Sequence, residues 1–294
     1  MINTHILSDQ FEYIEPHSVE EAVKWMAAYK GKAKFMAGGT DVIVQMKMGR
    51  AHPEAIIDLS RIPGLRYLIV EDGLRIGVLT TFRQIERDGF IQRRYTALHE
   101  AAKAVTSIQI KTMGTLGGNL CHGSPAADSA PPLIGFGARV KMIEGDKERV
   151  IPLETFFTGP GETLLNREEL MVEIQVPEPG ANTGSAFLKL GRVSADLAKI
   201  SVAVVIEREQ DLCRDCKMVM GSVAEIPLRT KEAEKILIGK KFKEDLVQKA
   251  SLQVSEDIKP INDIRSTAWY RKEVSKVLVR DAINLAWERA GGNA

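Results

Sequence analysis

Two short segments carry the residue types from which a phosphate site can be built. Ala37-Gly38-Gly39-Thr40-Asp41 and Thr115-Leu116-Gly117-Gly118-Asn119 each join paired glycines to a threonine and a polar amide or acid. Adjacent glycines let the backbone approach an anion closely with successive N–H groups turned toward it, and threonine adds a hydroxyl donor. Both loops therefore suit a diphosphate, although a Gly-Gly pair taken singly reads equally as a tight turn. Neither segment is the G-x-G-x-x-G fingerprint and no G-x-x-x-x-G-K-[ST] run occurs, which disfavours NAD in a standard dinucleotide fold and ATP on a P-loop.

Other chemically capable residues are sparse. Cys213-Arg214-Asp215-Cys216 has C-x-x-C spacing and invites a redox or metal reading. Residues three apart on a regular strand face opposite sides, however, and no His-x-His pattern accompanies the thiols, so they read as ordinary hairpin residues. Cys121 and His122 follow the second loop and read as structural, with an approach to a bound cofactor as the alternative. The five histidines show no metal spacing, and no Ser/His/Asp or paired-carboxylate arrangement stands out. Neither a metal site nor an acid–base centre is expected in this chain.

The elements that must position the loops follow from periodicity. Ser18 and Glu21 have the form of a capping box opening a helix with Val19, Ala22, Val23 and Met26 inward and Trp25 packed beside them. A strand over 32–37 runs into the first loop, a helix over 42–48 stops at Gly49, and a strand returns over 55–59. Residues 65–81 alternate with period two around Glu71-Asp72-Gly73, a hairpin signal. Helix is expected over 82–105, a glycine-rich loop over 114–128, a hairpin across Gly145-Asp146 and a strand over 170–176. The Pro- and Gly-rich stretch 177–184 reads as a linker with a boundary near 180. Beyond it, strands over 185–189, 200–207 and 216–220 precede helices over 230–237, 243–258 and 268–289, an α+β arrangement.

Composition sets the outer limits. With 294 residues, 44% hydrophobic and 27% charged, the chain is long enough for two domains with a sizeable core. Forty Lys and Arg against 39 Asp and Glu leave a net charge of +1, with no electrostatic footprint for nucleic acid or an anionic membrane. No apolar run approaches the ~20 residues of a membrane span, and the N-terminus lacks the pattern of a secretory leader, so a cytoplasmic location is expected. Three cysteines cannot supply the four thiolates that an iron–sulfur cluster usually takes.

The run 109–128, from Gln109-Ile110 through Gly117-Gly118-Asn119 to Ser124-Pro125-Ala126-Ala127-Asp128, together with Ala37-Gly38-Gly39-Thr40-Asp41, resembles the FAD-binding subunits of the molybdenum hydroxylases, among them xanthine, carbon monoxide and nicotinate dehydrogenases. Ile226-Pro227-Leu228-Arg229 and Asn262-Asp263-Ile264-Arg265 extend the likeness over nearly the whole chain. The resemblance implies an α+β fold: a two-subdomain FAD-binding domain of the PCMH (vanillyl-alcohol oxidase-like) type over 1–178, divided near residue 60, then a C-terminal α+β domain over 183–290. It implies FAD as the only cofactor, bound by Met36, Ala37, Gly38, Gly39, Thr40, Asp41, Val42, Thr115, Leu116, Gly117, Gly118, Asn119, Asp128, Met171 and Lys189. Asp128 alternatively caps the 126–133 turn.

Leu197 stands where carbon monoxide dehydrogenases carry a tyrosine, which implies an aliphatic contact for the isoalloxazine. Lys111-Thr112 replaces the family's Arg-Asn pair. The implied partners are a large molybdenum-cofactor subunit and a small [2Fe-2S] subunit, with electrons leaving through FAD to an external acceptor such as NAD+. The alternatives are the flavin subunit of a 4-hydroxybenzoyl-CoA reductase-like enzyme, whose extra four-cysteine insertion is missing here, and an assembly protein that has lost FAD.

Overall fold

The computed structural model describes residues 7, 10–105, 107–193 and 196–292; the first residues, read above for a leader, lie outside them. Among the described residues, three larger sheets and their helices build the molecule, with a two-stranded sheet of Phe157–Gly159 and Glu162–Thr163 beside them. In the first, the parallel strands Glu12–Ile14 and Ala33–Met36 flank Ala55–Asp58. All four residues of that central strand are buried, as expected of a parallel strand covered on both faces. Helix Val19–Ala28 covers it with Ala22, Val23 and Met26. Ser18 Oγ accepts from the Glu21 N–H at 3.1 Å, while Glu21 reaches past Ser18 to the His17 N–H at 2.8 Å, so the reciprocal half of the expected box closes one residue early. Trp25 lies off the buried stripe and is exposed.

The second sheet is antiparallel, in the order Leu68–Val70, Gly73–Gly77, Leu170–Pro177, Arg139–Glu144, Lys147–Pro152. The expected helix over 82–105 is instead three short ones, Phe82–Arg87, Gly89–Arg94 and Thr96–Ala104. The break has a local cause: Asp88 Oδ1 accepts from the N–H groups of Phe90 and Ile91, both at 2.9 Å, and so starts a new helix as the previous one ends. Inside the stretch read as a glycine loop, residues Leu116–Cys121 form one helical turn and a half.

The third sheet runs Thr183–Leu190, Ile200–Glu209, Leu212–Gly221, Leu228–Arg229, with Lys240–Lys241 also on Leu212–Gly221. It is buried on both faces. Val202, Val204 and Ile206 pack with residues of the helices Glu244–Asp257 and Ala268–Ala290, whereas Phe187, Ala203, Val205 and Val219 join the core of the preceding sheet and helices. Alternation along one strand thus welds the two halves of the chain. Glu100 reinforces the seam by accepting from Phe187 N–H at 2.8 Å and Arg289 Nη2 at 2.6 Å.

Sequence spacing misleads at one point in this sheet. Glu207 pairs with Asp215 but Arg208 with Cys213, so Arg214 is an extra residue in a β-bulge. The bulge resets the alternation and buries Cys213 and Cys216 in the same core, where Cys213 Sγ donates to Asp215 O at 3.6 Å and the neighbouring Cys213 together with burial pushes the Cys216 thiol well above its ordinary pKa.

Candidate functional site

The two Gly-Gly segments meet across one cavity of about 910 Å³, whose wall includes Ala37, Gly38, Gly39, Thr40, Asp41 and Val42 from one and Thr115, Gly117, Gly118 and Asn119 from the other. Each loop has a different local job for its two glycines. A Cβ at Gly38 would land on the carbonyl of Met113, and one at Gly117 would lie 2.5 Å from Val78 Cβ. These first glycines therefore let the segments close on their neighbours. Gly39 holds φ at +70°, a left-handed conformation that turns the chain out of the strand Ala33–Met36 and into the helix Val42–Lys47.

The N–H groups of the two loops are used differently. In the second, Leu116 N–H donates to Thr80 O (2.9 Å), Gly117 N–H to Val78 O (3.1 Å), Gly118 N–H to Thr115 Oγ1 (3.1 Å) and Asn119 N–H to Thr115 O (3.0 Å). That backbone is pinned to the 78–82 segment and offers side chains instead. Asn119 Oδ1 accepts from Ser129 Oγ at 2.6 Å, which orients the amide and leaves its Nδ2 donors available. In the first loop, the N–H groups of Gly39, Thr40 and Asp41 donate to no acceptor among the described residues. Asp41 precedes the helix Val42–Lys47 without capping it, and its Oδ1 lies 3.8 Å from His122 Nε2 across the gap between the loops.

Family models match both halves of the chain: the FAD binding domain in molybdopterin dehydrogenase over residues 9–179 and the CO dehydrogenase flavoprotein C-terminal domain over 185–286. The chain belongs to the FAD-binding subunits of the molybdenum hydroxylase family. It is 34% identical to the carbon monoxide dehydrogenase medium chain of Hydrogenophaga pseudoflava, with 97% of this chain and 99% of that one covered. To the xanthine dehydrogenase FAD-binding subunit of Escherichia coli O157:H7 it is 31% identical over 89% of this chain and 91% of the relative. The solved carbon monoxide dehydrogenase from H. pseudoflava, in a form lacking the Mo-pyranopterin moiety, superposes with a TM-score of 0.94 at 35% identity, covering 97% of this chain and 99% of that one.

FAD is a large polar ligand, and the flavoprotein's cavity wall contains an atom suited to one. Asp128 is buried and its Oδ2 accepts from Lys189 Nζ at 2.6 Å, but its Oδ1, also buried, has no protein partner. Buried polar atoms are rarely left so unless a ligand or water completes them. Burial pushes the Asp128 carboxyl up to about 6 even though the Lys189 ammonium pulls the other way. Asp128 is thus a wall residue rather than a turn cap. Lys189 stands behind it, donating also to Ala104 O at 3.1 Å, outside the cavity wall. Met36 and Leu116 likewise support the loops from behind, Met36 Sδ beneath Gly39 and Leu116 fully buried.

Met171 and the half-exposed Leu197 line the cavity, together with Phe35, Gln45, Val105 and Ile110, which the motif reading did not single out as cofactor contacts, and Cys121 and His122, for which it held such an approach as the alternative. Cys121 Sγ lies 3.9 Å from Met171 Sδ, and burial pushes its thiol up to about 12, which suits wall packing rather than reactivity. The Lys111-Thr112 pair turns away: Lys111 Nζ meets Glu86 Oε1 at 2.9 Å and Thr112 Oγ1 donates to Ile108 O at 2.7 Å. Arg192 is likewise engaged, pairing with Asp196 at 2.7 Å and holding that carboxyl well below the usual range. Among the described residues no group of three His, Cys, Asp or Glu side chains is placed to hold a metal, and no helix is long and apolar enough to cross a membrane.

Proposed function

We propose that this chain is the electron-transfer subunit of a heteromeric molybdenum hydroxylase and that its cavity holds FAD through the residues just described. The observation that carries the reading is the cradle of unpartnered N–H groups at Gly39, Thr40 and Asp41, in the same cavity wall as the unpartnered Asp128 Oδ1. Successive donors in a turn form a nest for an anion, here the diphosphate. Thr115 Oγ1 and Asn119 Nδ2 face it from the second loop, Asp128 accepts from a cofactor N–H or hydroxyl, and Met171 and Leu197 supply apolar wall for the isoalloxazine. FAD exchanges electrons singly or in pairs, which suits a link between one-electron iron–sulfur centres and a two-electron acceptor. The chain's own residues bind and orient the cofactor and exclude water from it.

The partners are then a large molybdenum-cofactor subunit, where substrate is oxidised, and a small [2Fe-2S] subunit, with an external acceptor such as NAD+ and the cytoplasm as the location. The domain division falls near residue 180, between strands Leu170–Pro177 and Thr183–Leu190. The test is substrate-dependent bleaching of the flavin absorbance. The isolated FAD-loaded chain stays oxidised with purines, aldehydes, carbon monoxide or nicotinate, and the complex co-purified with both partners bleaches with its own substrate. Bleaching of the metal-free chain by any of these would overturn the assignment.

A further inference from the structure

The first loop poses an electrostatic problem that the FAD reading does not solve. It brings a diphosphate dianion into a wall that already contains the carboxylate of Asp41, whose side chain makes no helix cap. The other acids in that wall have strong cationic partners: Lys189 holds Asp128 at 2.6 Å, and Arg149 holds Glu169 at 2.6 Å. The exposed cations Lys34 and Arg167 also line the cavity, Arg167 with its side chain against Gly31. The imidazole between the two loops is His122. Its backbone N–H donates to Gly118 O at 3.0 Å, which seats it one turn beyond the second glycine pair. Its Nε2 lies 3.8 Å from Asp41 Oδ1 and its Nδ1 3.5 Å from Gln45 Nε2.

We propose that His122 is the counter-charge of the site: FAD binding draws one proton onto its imidazole, and the resulting cation balances Asp41 and the diphosphate together. The inference rests on the FAD reading and deepens it by naming the group that reads the diphosphate's charge. Imidazole is the side chain whose charge changes most readily near neutral pH, and a dianion arriving beside it favours the charged form. Gln45 fits both states, since its amide donates to a neutral Nδ1 and after a flip accepts from a protonated one. Asp41, the nearest carboxylate, faces Nε2 in either case and keeps the ring oriented.

Calorimetric titration of the full chain with FAD, repeated at one pH in two buffers of different ionisation enthalpy, counts the protons taken up. The wild type takes up a proton as it binds FAD, close to one per FAD where the uptake is greatest, and across that range its FAD affinity falls with rising pH by up to about tenfold per unit. His122→Gln binds FAD more weakly, with no uptake and a flat pH profile. Asp41→Asn folds with the imidazole intact and keeps the uptake, displaced to lower pH. Asp128→Asn, a change in the cavity wall, weakens FAD binding but keeps the proton uptake, which separates the two candidate titrating groups. FAD binding without proton uptake, or uptake that survives His122→Gln and vanishes in Asp128→Asn, overturns the inference and leaves the FAD reading standing. A wild-type chain that binds no FAD at all brings down both.

Discussion

Paired glycines look interchangeable in a sequence, yet each has its own task here. Gly38 and Gly117 let backbone and side chains close from behind, whereas Gly39 sets the left-handed turn that exposes three N–H groups. Placing a Cβ in that turn costs roughly 1 kcal/mol of strain. Gly64 has a similar φ of +80° with open space around it, so Gly64→Ala carries the same strain away from the cavity. Gly39→Ala is expected to lower stability about as much as Gly64→Ala in urea unfolding, but to weaken FAD about tenfold in a fluorescence titration where Gly64→Ala leaves it unchanged. Equal FAD affinities would remove the cradle.

Asp128 gives a second residue-scale prediction. Its folded pKa of about 6 lies above the unfolded value near 4, so ionisation favours the unfolded chain. Its contribution is complete below about pH 3 and is lost as pH rises through about 6. The stability of the FAD-free wild type relative to Asp128→Asn should therefore fall by roughly 2 kcal/mol from pH 4 to pH 7. A pH-independent difference would show that the buried carboxyl is not strained by its surroundings.

At the scale of elements, much was legible and the exceptions have physical causes. Ser18 did cap its helix, Gly49 did follow the helix Val42–Lys47, and Gly145-Asp146 did turn a hairpin, because each is a short-range signal whose partners lie within a few residues. The split of 82–105 was also local, written in Asp88-Gly89, but apolar periodicity masked it. The Arg214 bulge was not legible, since register is decided by the facing strand Ile200–Glu209. Nor did motif matching distinguish Asp128, in the wall, from Lys189, Met36 and Leu116 behind it; that depends on how three elements stack. The bulge makes its own prediction. With Cys213 and Cys216 in the core and Cys121 pushed up to about 12, an aromatic disulfide reagent at pH 8 should label none of the three free thiols in the native protein and all three in denaturant. Rapid native labelling of Cys213 or Cys216 would contradict that burial.

The whole molecule is held together by a sheet with two buried faces, so its halves should unfold as one unit. Glu100 ties helix Thr96–Ala104 to Phe187 on the sheet and to Arg289 near the C-terminus. Removing these charged hydrogen bonds in Glu100→Ala is expected to cost about 2 kcal/mol in urea, with a single transition retained. Two separated transitions would mean that the halves are independent.

The claim on which everything else rests is that the cavity reads the diphosphate, and competition between FAD and riboflavin for the purified full-length chain tests it most directly. The two share the isoalloxazine and differ in the adenosine and in the diphosphate proposed for the first loop. The account predicts one FAD per chain, released by acid as free flavin, with riboflavin bound at least about a hundredfold more weakly, a difference of roughly 3 kcal/mol. Equal affinity for the two, or a chain that retains neither, would contradict it.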